Sequence, residues 1–285
     1  MTLPAAAPER TAIDLDANRP LDDRYFERMA ASLGDKARVI PFLVGRRVLD
    51  VGAGGGELAR AIAGAGFAVT ALDASDEAIR RLESLGGVEV AHGDASDAAR
   101  VVGGGFDAIV CSAVLHEVYS YAPADARRGT LDAALAMFAD MLAPGGRLVI
   151  RDGVMPDDPS RPASVLLPPG RIDAFDRYAV LTPHAELVLA RDGARVEGTR
   201  HQIAELLFTL TWGAETFARE AQERYQLHTL AGYAEAVAPY GLSLVHADAV
   251  TQPGYVAALA DIEVRDEHGR PWFPPTNGLW VFEHP

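Results

Sequence analysis

The chain has 285 residues, 49% of them hydrophobic and 23% charged, a balance that fits one globular α/β domain with room for an inserted subdomain better than two independent domains. Its 40 acidic against 26 basic side chains give a formal charge of −14, which repels nucleic-acid phosphates on average and disfavours a polynucleotide partner. There is no run of about 20 apolar residues to cross a membrane, and residues 1–10 lack the basic and apolar regions of a secretory signal. The single cysteine, Cys111, cannot form an intramolecular disulfide and fits a small core residue in a reducing compartment, so a cytoplasmic location is expected.

Residues 1–12, rich in Ala and Pro, read as a tail without order. Helical spacing then places Tyr25, Phe26 and Met29 on one side of residues 22–30, and a second helix is expected over 36–43; residues 1–45 together form an N-terminal segment. The first strand, Val48-Leu49-Asp50-Val51, runs through an acidic residue into Gly52-Ala53-Gly54-Gly55-Gly56 and then a helix over 57–65. Glycines without a Cβ let this turn adopt positive φ and let a ligand lie against main-chain N–H groups at the helix start. A second apolar run, 68–72, ends at Asp73-Ala74, about 20 residues beyond the turn, where a carboxylate can accept from both ribose hydroxyls. After a helix over 76–85, a short third strand leads into Gly93-Asp94-Ala95, placing Asp94 within reach of an adenine amino group.

The fourth strand, 106–111, ends in Cys111-Ser112 and continues through Ala113-Val114-Leu115-His116-Glu117. A helix over 123–142 and a Pro144-Gly145-Gly146 turn introduce the fifth strand, which ends at Arg151-Asp152. That pair either meets an acceptor or forms an ion pair with itself, and the ion pair is the favoured reading. Strands and helices alternating at short intervals imply a parallel sheet covered on both faces, with ligands at the carboxyl ends of the strands where their order reverses.

Beyond Asp152 the rhythm breaks. Prolines at 156, 159, 162, 168 and 169 mark residues 155–171 as a loop. Residues 185–190 and 194–197 around Asp192-Gly193 suggest a hairpin, residues 199–210 and 214–225 look helical, and order resumes with a helix over 230–239 and strands over 242–247 and 278–282. The expected organisation is a core of 46–152 and 229–285 with an inserted subdomain of 153–228. Neither repeats nor metal-ligand spacings are visible, so no metal is expected.

Asp50 inside the glycine motif, Gly93-Asp94 after the third strand and Pro144-Gly145-Gly146 before the fifth, taken together, resemble the class I S-adenosylmethionine-dependent methyltransferases of small-molecule type. The resemblance covers residues 45–152; the remainder matches only in the order of elements. It implies a Rossmann-like, doubly wound, mostly parallel seven-stranded sheet with helices on both faces, N-terminal helices closing over the cofactor and a lid after the fifth strand. The cofactor implied is S-adenosylmethionine, with S-adenosylhomocysteine as product. Asp50, Gly52, Ala53, Gly54 and Gly56 would then floor the methionine and ribose part. Asp73 with Ala74 would hold the ribose diol, Gly93, Asp94 and Ala95 would flank the adenine, and Cys111, Ser112 and the residues up to His116 would line the methyl-transfer position. Tyr25, Arg28 and Lys36 would reach the methionine carboxylate, with packing for Tyr25 and solvation for the charges equally open.

Methyl transfer from a sulfonium needs alignment and, for a hydroxyl or protonated amine, removal of a proton. His116 is the candidate base, and Glu117, Tyr119 and Tyr121 are candidates to orient it or touch the acceptor; alternatively His116 only holds the cofactor or caps the next helix. In the insertion, His184, Arg200, His201, Trp212, Glu215, Arg219 and Tyr225 are weaker pocket candidates. The expected partner is a small-molecule or short-peptide acceptor methylated on oxygen, nitrogen or carbon in a biosynthetic pathway, without nucleic acid or membrane. Two alternatives stand beside this. One is an NAD(P)-dependent oxidoreductase, which lacks a Tyr-x-x-x-Lys pair here because Lys36, the sole lysine, follows Ser32 by four residues. The other is a cofactor-binding protein without methyl-transfer activity.

Overall fold

The computed structural model describes residues 23–214 and 216–285, and nothing is described of the side chains of Asp23, Arg24, Tyr25 and Met29. The expected tail at 1–12, the Tyr25 side chain and Glu215 lie outside the described residues. The strands are β1 Arg47–Val51, β2 Ala68–Asp73, β3 Glu89–His92, β4 Phe106–Ser112, β5 Leu142–Gly153, β6 Pro162–Leu166, β7 Arg191–Asp192, β8 Arg195–Thr199, β9 Ser243–Val250, β10 Glu263–Asp266 and β11 Asn277–Glu283. They sort into two compact units: the larger, among the described residues, holds 23–157, 225–252 and 275–285, and the smaller holds 158–224 and 253–274.

In the larger unit seven strands lie in the order β3-β2-β1-β4-β5-β11-β9. The first five pair in parallel, and β11 runs antiparallel to both β5 and β9. This is the α/β, Rossmann-like sheet that the alternating pattern implies. Successive side chains on a strand point to opposite faces, and both faces are apolar. Leu49, Ile109, Leu148, Ile150, Trp280 and Phe282 pack on one side with Leu131, Leu135 and Phe138 of the helix Arg127–Met141. Val48, Val110, Val149, Leu279 and Val281 pack on the other with Leu58 and Ile62 of the helix Glu57–Gly64 and Leu82 of the helix Asp76–Leu85. Each such side chain removed from water contributes about 1.5–3 kcal/mol, which explains why these strands read as unbroken apolar runs rather than alternating ones. Strand order reverses between β1 and β4, whose register pairs Asp50 with Val110 and Val51 with Cys111, so the carboxyl ends there open a crevice for a ligand.

The smaller unit corrects three expectations. Residues 155–171 are not wholly loop: β6 is an inner strand of a four-stranded antiparallel sheet in the order β10-β6-β8-β7. The prolines permit this because they bracket the strand. Pro162 opens it, and Pro168 and Pro169 start the helix Pro169–Leu181, where a missing N–H costs nothing. The hairpin is shorter than expected, β7 pairing with β8 across Gly193 and Ala194, while Ala185–Leu187 is a 3-10 turn. Residues 253–274, expected in the core, supply β10 and belong to this unit. Its own core gathers Val165, Phe175, Tyr178, Val196, Ile203, Leu206 and Val264. The helix Arg200–Thr209 starts on a capping box, Thr199 Oγ1 accepting from the Gln202 N–H and the Gln202 side chain from the Thr199 N–H.

Candidate active site

The glycine turn leaves β1 with Gly52 at φ +67° and Gly56 at φ +84°. A Cβ at Gly52 would come within 2.6 Å of Val114 Cγ2, and one at Gly56 within 2.4 Å of Leu85 Cδ1, so both conformation and space require glycine at these two positions. The Gly54 N–H donates to Asp73 Oδ2 and the Ser75 N–H to Asp73 Oδ1, each at 2.8 Å. Asp73 thus ties the turn after β1 to the end of β2, and each of its oxygens retains a lone pair for a hydroxyl. Across the β2/β3 register, where Asp73 faces His92, the His92 Nε2–H donates to the Ala74 carbonyl at 3.1 Å. Asp94 caps the turn Ala95–Asp97, its Oδ1 accepting from the Ser96 N–H at 2.8 Å and from Ser96 Oγ at 2.5 Å. Gly93 is held close beneath, its N–H on the Asp73 carbonyl at 2.9 Å.

Asp50 is 1% exposed, and its Oδ2 has no hydrogen-bond partner. Burial pushes its carboxyl up to about 7; the Lys36 charge opposes this and Asp73 adds to it. Lys36 is in turn pushed down to about 8, first by burial and then by Arg151, against the pull of Asp50 and Glu57. Ser112 Oγ, on the same face at the end of neighbouring β4, is also buried without a partner. Two orphaned oxygens at adjacent strand ends demand an explanation, and a ligand bearing ammonium and hydroxyl donors supplies one. Cys111 points to the opposite face: its side chain lies within the core beside Leu49, Val51 and Ile150, and burial raises its thiol, so at that position only the main chain is offered to a ligand.

The end of β5 departs from the expected Arg151–Asp152 ion pair. As neighbours on a strand they face opposite ways. Arg151 reaches the N-terminal segment, donating to Asp35 Oδ2 through Nε at 2.6 Å, while Gln252 donates to the same oxygen at 2.6 Å and Arg38 to Asp35 Oδ1 at 3.2 Å. Burial alone would raise the Asp35 carboxyl, but the Arg151 charge and these hydrogen bonds hold it below the usual carboxylate range. Asp152, 1% exposed, takes His116 instead: Oδ1 lies 2.6 Å from His116 Nδ1 and Oδ2 accepts from the His116 main-chain N–H at 3.2 Å. The Gly153 N–H donates to Oδ1 at 2.8 Å. His116 is itself buried, in the first turn of the helix Leu115–Ser120, after Ala113 at φ +59°. The Tyr225 ring lies 5.3 Å from the imidazole, tilted by 39°. A Cβ at Gly153 would stand 2.3 Å from the Tyr225 carbonyl oxygen, so glycine there admits this segment.

Of the residues singled out in the sequence, Asp50, Gly52, Ala53, Gly54, Gly56, Asp73, Ala74, Gly93, Asp94, Ala95 and Ser112 stand at or just beyond the carboxyl ends of β1 to β4, with Lys36 beside Asp50. Glu117, Tyr119 and Tyr121 are partly buried around the helix that carries His116, Tyr119 packing on the core. In the smaller unit, His184 Nε2 sits 3.1 Å from the Gln222 carbonyl, His201 pairs with Glu205 at 3.3 Å, Arg200 with Glu267 at 2.9 Å and Arg219 with Glu223 at 3.5 Å. Sequence reasoning missed Asp35, Gln252 and the pairing of Asp152 with His116. The one signal available was strand parity, which sets Arg151 and Asp152 on opposite faces.

A methyltransferase domain family matches residues 21–247. The chain belongs to that family. Class I S-adenosylmethionine-dependent methyltransferases share this sheet, and S-adenosylmethionine is accordingly the cofactor for which the crevice is built. Among relatives, ubiquinone biosynthesis O-methyltransferase of Xanthomonas axonopodis pv. citri is 38% identical over 119 residues, 40% of this chain and 45% of that protein. The same-named protein of Aromatoleum aromaticum is 35% identical over 111 residues, 37% of this chain and 43% of that protein. The chain thus spans less than half the length of these curated relatives. Among solved structures, 1,6-didemethyltoxoflavin-N1-methyltransferase of Burkholderia thailandensis, with 1,6-didemethyltoxoflavin and S-adenosylhomocysteine bound, superposes with a TM-score of 0.51 at 17% identity, over 92% of this chain and 81% of that one. That likeness is one of fold. Among the described residues of this methyltransferase-domain protein, no helix is long and apolar enough to cross a membrane.

Proposed function

We propose that this chain transfers the methyl group of S-adenosylmethionine to a hydroxyl oxygen of a small organic acceptor in a biosynthetic pathway, with His116 as the general base. The observation that carries the reading is a buried imidazole paired with Asp152 at the mouth formed by β4 and β5, beside the cofactor motifs. The relatives named as O-methyltransferases support oxygen over nitrogen or carbon, and the negative charge of the chain supports a small molecule over a polynucleotide. S-adenosylmethionine, when bound, supplies an electrophilic methyl carbon and departs as a neutral thioether that needs no acid.

The residues of the chain do the rest. Asp50, with its orphaned Oδ2, and Lys36 would hold the amino-acid end of the cofactor; Asp73 would hold the ribose; Asp94 would meet the adenine. His116 would take the hydroxyl proton, and the sheltered site keeps bulk water from competing as acceptor. Tyr225 would wall the side of the imidazole, while Glu117, Tyr119 and Tyr121 remain candidates for acceptor contact. A cytoplasmic location suits the cofactor. The nicotinamide alternative gives way to the family match.

The test is to incubate the protein with S-adenosylmethionine and a panel of phenols, enols and amines, following S-adenosylhomocysteine release and the product mass. Methylation of a hydroxyl that falls by about 10²-fold or more in His116→Ala, with S-adenosylhomocysteine affinity kept, is the expected result. Undiminished turnover in that variant would remove His116 from the chemistry. Turnover only of amines would replace the acceptor class.

A further inference from the structure

We infer that Asp35 is a positioning residue for the cofactor: it pins the helix Leu33–Lys36 to the ends of β5 and β9 so that Lys36, held beside Asp50, takes the carboxylate of the cofactor's amino acid. This rests on the reading that Asp50 and Lys36 hold that end of the cofactor, is independent of His116, and goes beyond the reading by naming what places the lysine. Asp50, Ser112 and Arg151 share one face of the sheet. The β4/β5 register sets Ser112 beside Arg151, and Asp50 pairs with Val110, two residues before Ser112. Opposite charges meet there without closing: Asp50 and Lys36 each feel the other's charge, yet Asp50 Oδ2 has no hydrogen-bond partner. An α-amino acid, with its ammonium and carboxylate on one carbon, bridges such a pair.

The lysine cannot place itself. Its helix is a single turn of four residues with no side-chain cap, too short to hold its own conformation in water, and a lysine side chain has much rotamer freedom to lose. Downstream the segment is fastened by packing: Val39 and Leu43 lie in the core with Val48 and Val149, and Arg147 donates to the Phe42 carbonyl at 3.1 Å. Directly before Lys36 stands Asp35, whose Oδ2 accepts from Arg151 Nε and from Gln252, each at 2.6 Å, and whose Oδ1 accepts from Arg38 at 3.2 Å. Each donor is itself held. Arg38 also donates to Asp248 of β9 at 2.5 Å, the Gln252 N–H donates to Thr276 Oγ1 at 2.9 Å, and Arg151 belongs to β5. One carboxylate thus ties the turn that carries Lys36 to two strands. It has a second effect in the same direction. Burial first and Arg151 second push Lys36 toward its neutral form, and a carboxylate against the guanidinium opposes the Arg151 field, so the lysine keeps the charge that a carboxylate ligand needs.

The test compares S-adenosylhomocysteine with 5′-methylthioadenosine, which keeps the adenosine and the thioether but has no amino acid. Both are titrated calorimetrically into wild type, Lys36→Met, Asp35→Asn and Gln252→Leu, and backbone amide exchange over residues 33–38 of each ligand-free protein is followed by mass spectrometry. Lys36→Met should weaken S-adenosylhomocysteine by about tenfold or more and leave methylthioadenosine within about twofold. Asp35→Asn should do the same, speed exchange over 33–38, and add little to Lys36→Met in the double variant, because the two act through one contact. Gln252→Leu takes one donor from Asp35 and strands no charge; it tests the same hold should Asp35→Asn not fold, with an expected loss of about threefold for S-adenosylhomocysteine alone. An equal loss for both ligands in Asp35→Asn or Gln252→Leu would make the aspartate a general brace and overturn the inference. Unchanged or tightened S-adenosylhomocysteine binding in those variants would overturn it too, the tightening showing that Arg151 takes the carboxylate itself. If Lys36→Met leaves the ratio of the two affinities unchanged, the failure lies in the reading of Lys36, and the positioning role falls with it.

Discussion

Asp50 offers a test in which sign and size both follow from the structure. It is buried at the carboxyl end of β1 with Oδ2 unpaired, and burial pushes its carboxyl from 3.8 to about 7. In the unfolded chain the group ionises near its ordinary value, so between the two values the folded state binds more protons and stability falls as pH rises. The whole shift is worth about 4 kcal/mol, of which roughly a third is already felt near pH 5 and the remainder appears by about pH 8. Asp50→Asn keeps the shape and removes the titration. Urea unfolding of the ligand-free protein, followed by tryptophan fluorescence at the two pH values, should show the variant gaining about 3 kcal/mol relative to wild type on going from the lower to the higher pH. The same variant should bind S-adenosylhomocysteine more weakly, because a neutral amide offers an ammonium no countercharge. Parallel pH dependence in the two proteins would refute the reasoning: it would mean that Lys36 already holds Asp50 ionised throughout, or that water reaches Oδ2.

Asp73→Ala removes the acceptor of the Gly54 and Ser75 N–H groups as well as the expected ribose contact, and calorimetric titration with S-adenosylhomocysteine should show a loss of about 1–3 kcal/mol; an unchanged Kd would move the ribose elsewhere. Arg151→Met strands Asp35, with side chains 5% and 16% exposed in the pair, and should cost about 3–5 kcal/mol in urea unfolding near neutral pH. Because Asp35 is held below its ordinary value, the stability it contributes is present above 3.8 and lost as pH falls through the lower folded-state value. The variant should therefore show a weaker acid dependence than wild type, and an identical acid limb would discount the pair. Gly52→Ala must accept φ +67° and a contact of 2.6 Å with Val114; a thermal shift of several degrees and a weakened nucleoside complex are expected, whereas native affinity would show that the turn rearranges freely. Gly153→Ala drives a methyl into the Tyr225 carbonyl and should lower kcat more than it weakens S-adenosylhomocysteine binding, an effect absent if the 225–229 segment simply moves aside.

The parallel half of the sheet was legible because its physics is local. A strand buried on both faces must be apolar throughout, a turn against a ligand must be glycine, and both show in a single pass along the residues. The same logic failed in the smaller unit, where five prolines within residues 155–171 read as a loop. Proline forbids an N–H, not a strand, and Pro162 sits where β6 begins while Pro168 and Pro169 begin the helix after it. Composition registers the prolines; only pairing shows that the residues between them, Ala163, Ser164 and Val165, are hydrogen-bonded on both sides. Likewise β10 is four residues long, and its assignment depends on β6, about a hundred positions earlier in the chain.

At the candidate site the division falls between residues that act on their sequence neighbours and residues that act across the sheet. Asp73 and Asp94 each grip an N–H two positions onward, so their place after a strand is visible as a motif. Asp152 grips a histidine 36 positions earlier, and Arg151 grips an aspartate 116 positions earlier. Nothing in the dipeptide Arg-Asp announces this, and opposite charges side by side invite the reading of a pair. The pleat decides otherwise, because two consecutive residues cannot face the same side of a strand. One rule of backbone geometry thus sends the arginine to the face that anchors the N-terminal segment and the aspartate to the face that bears the histidine.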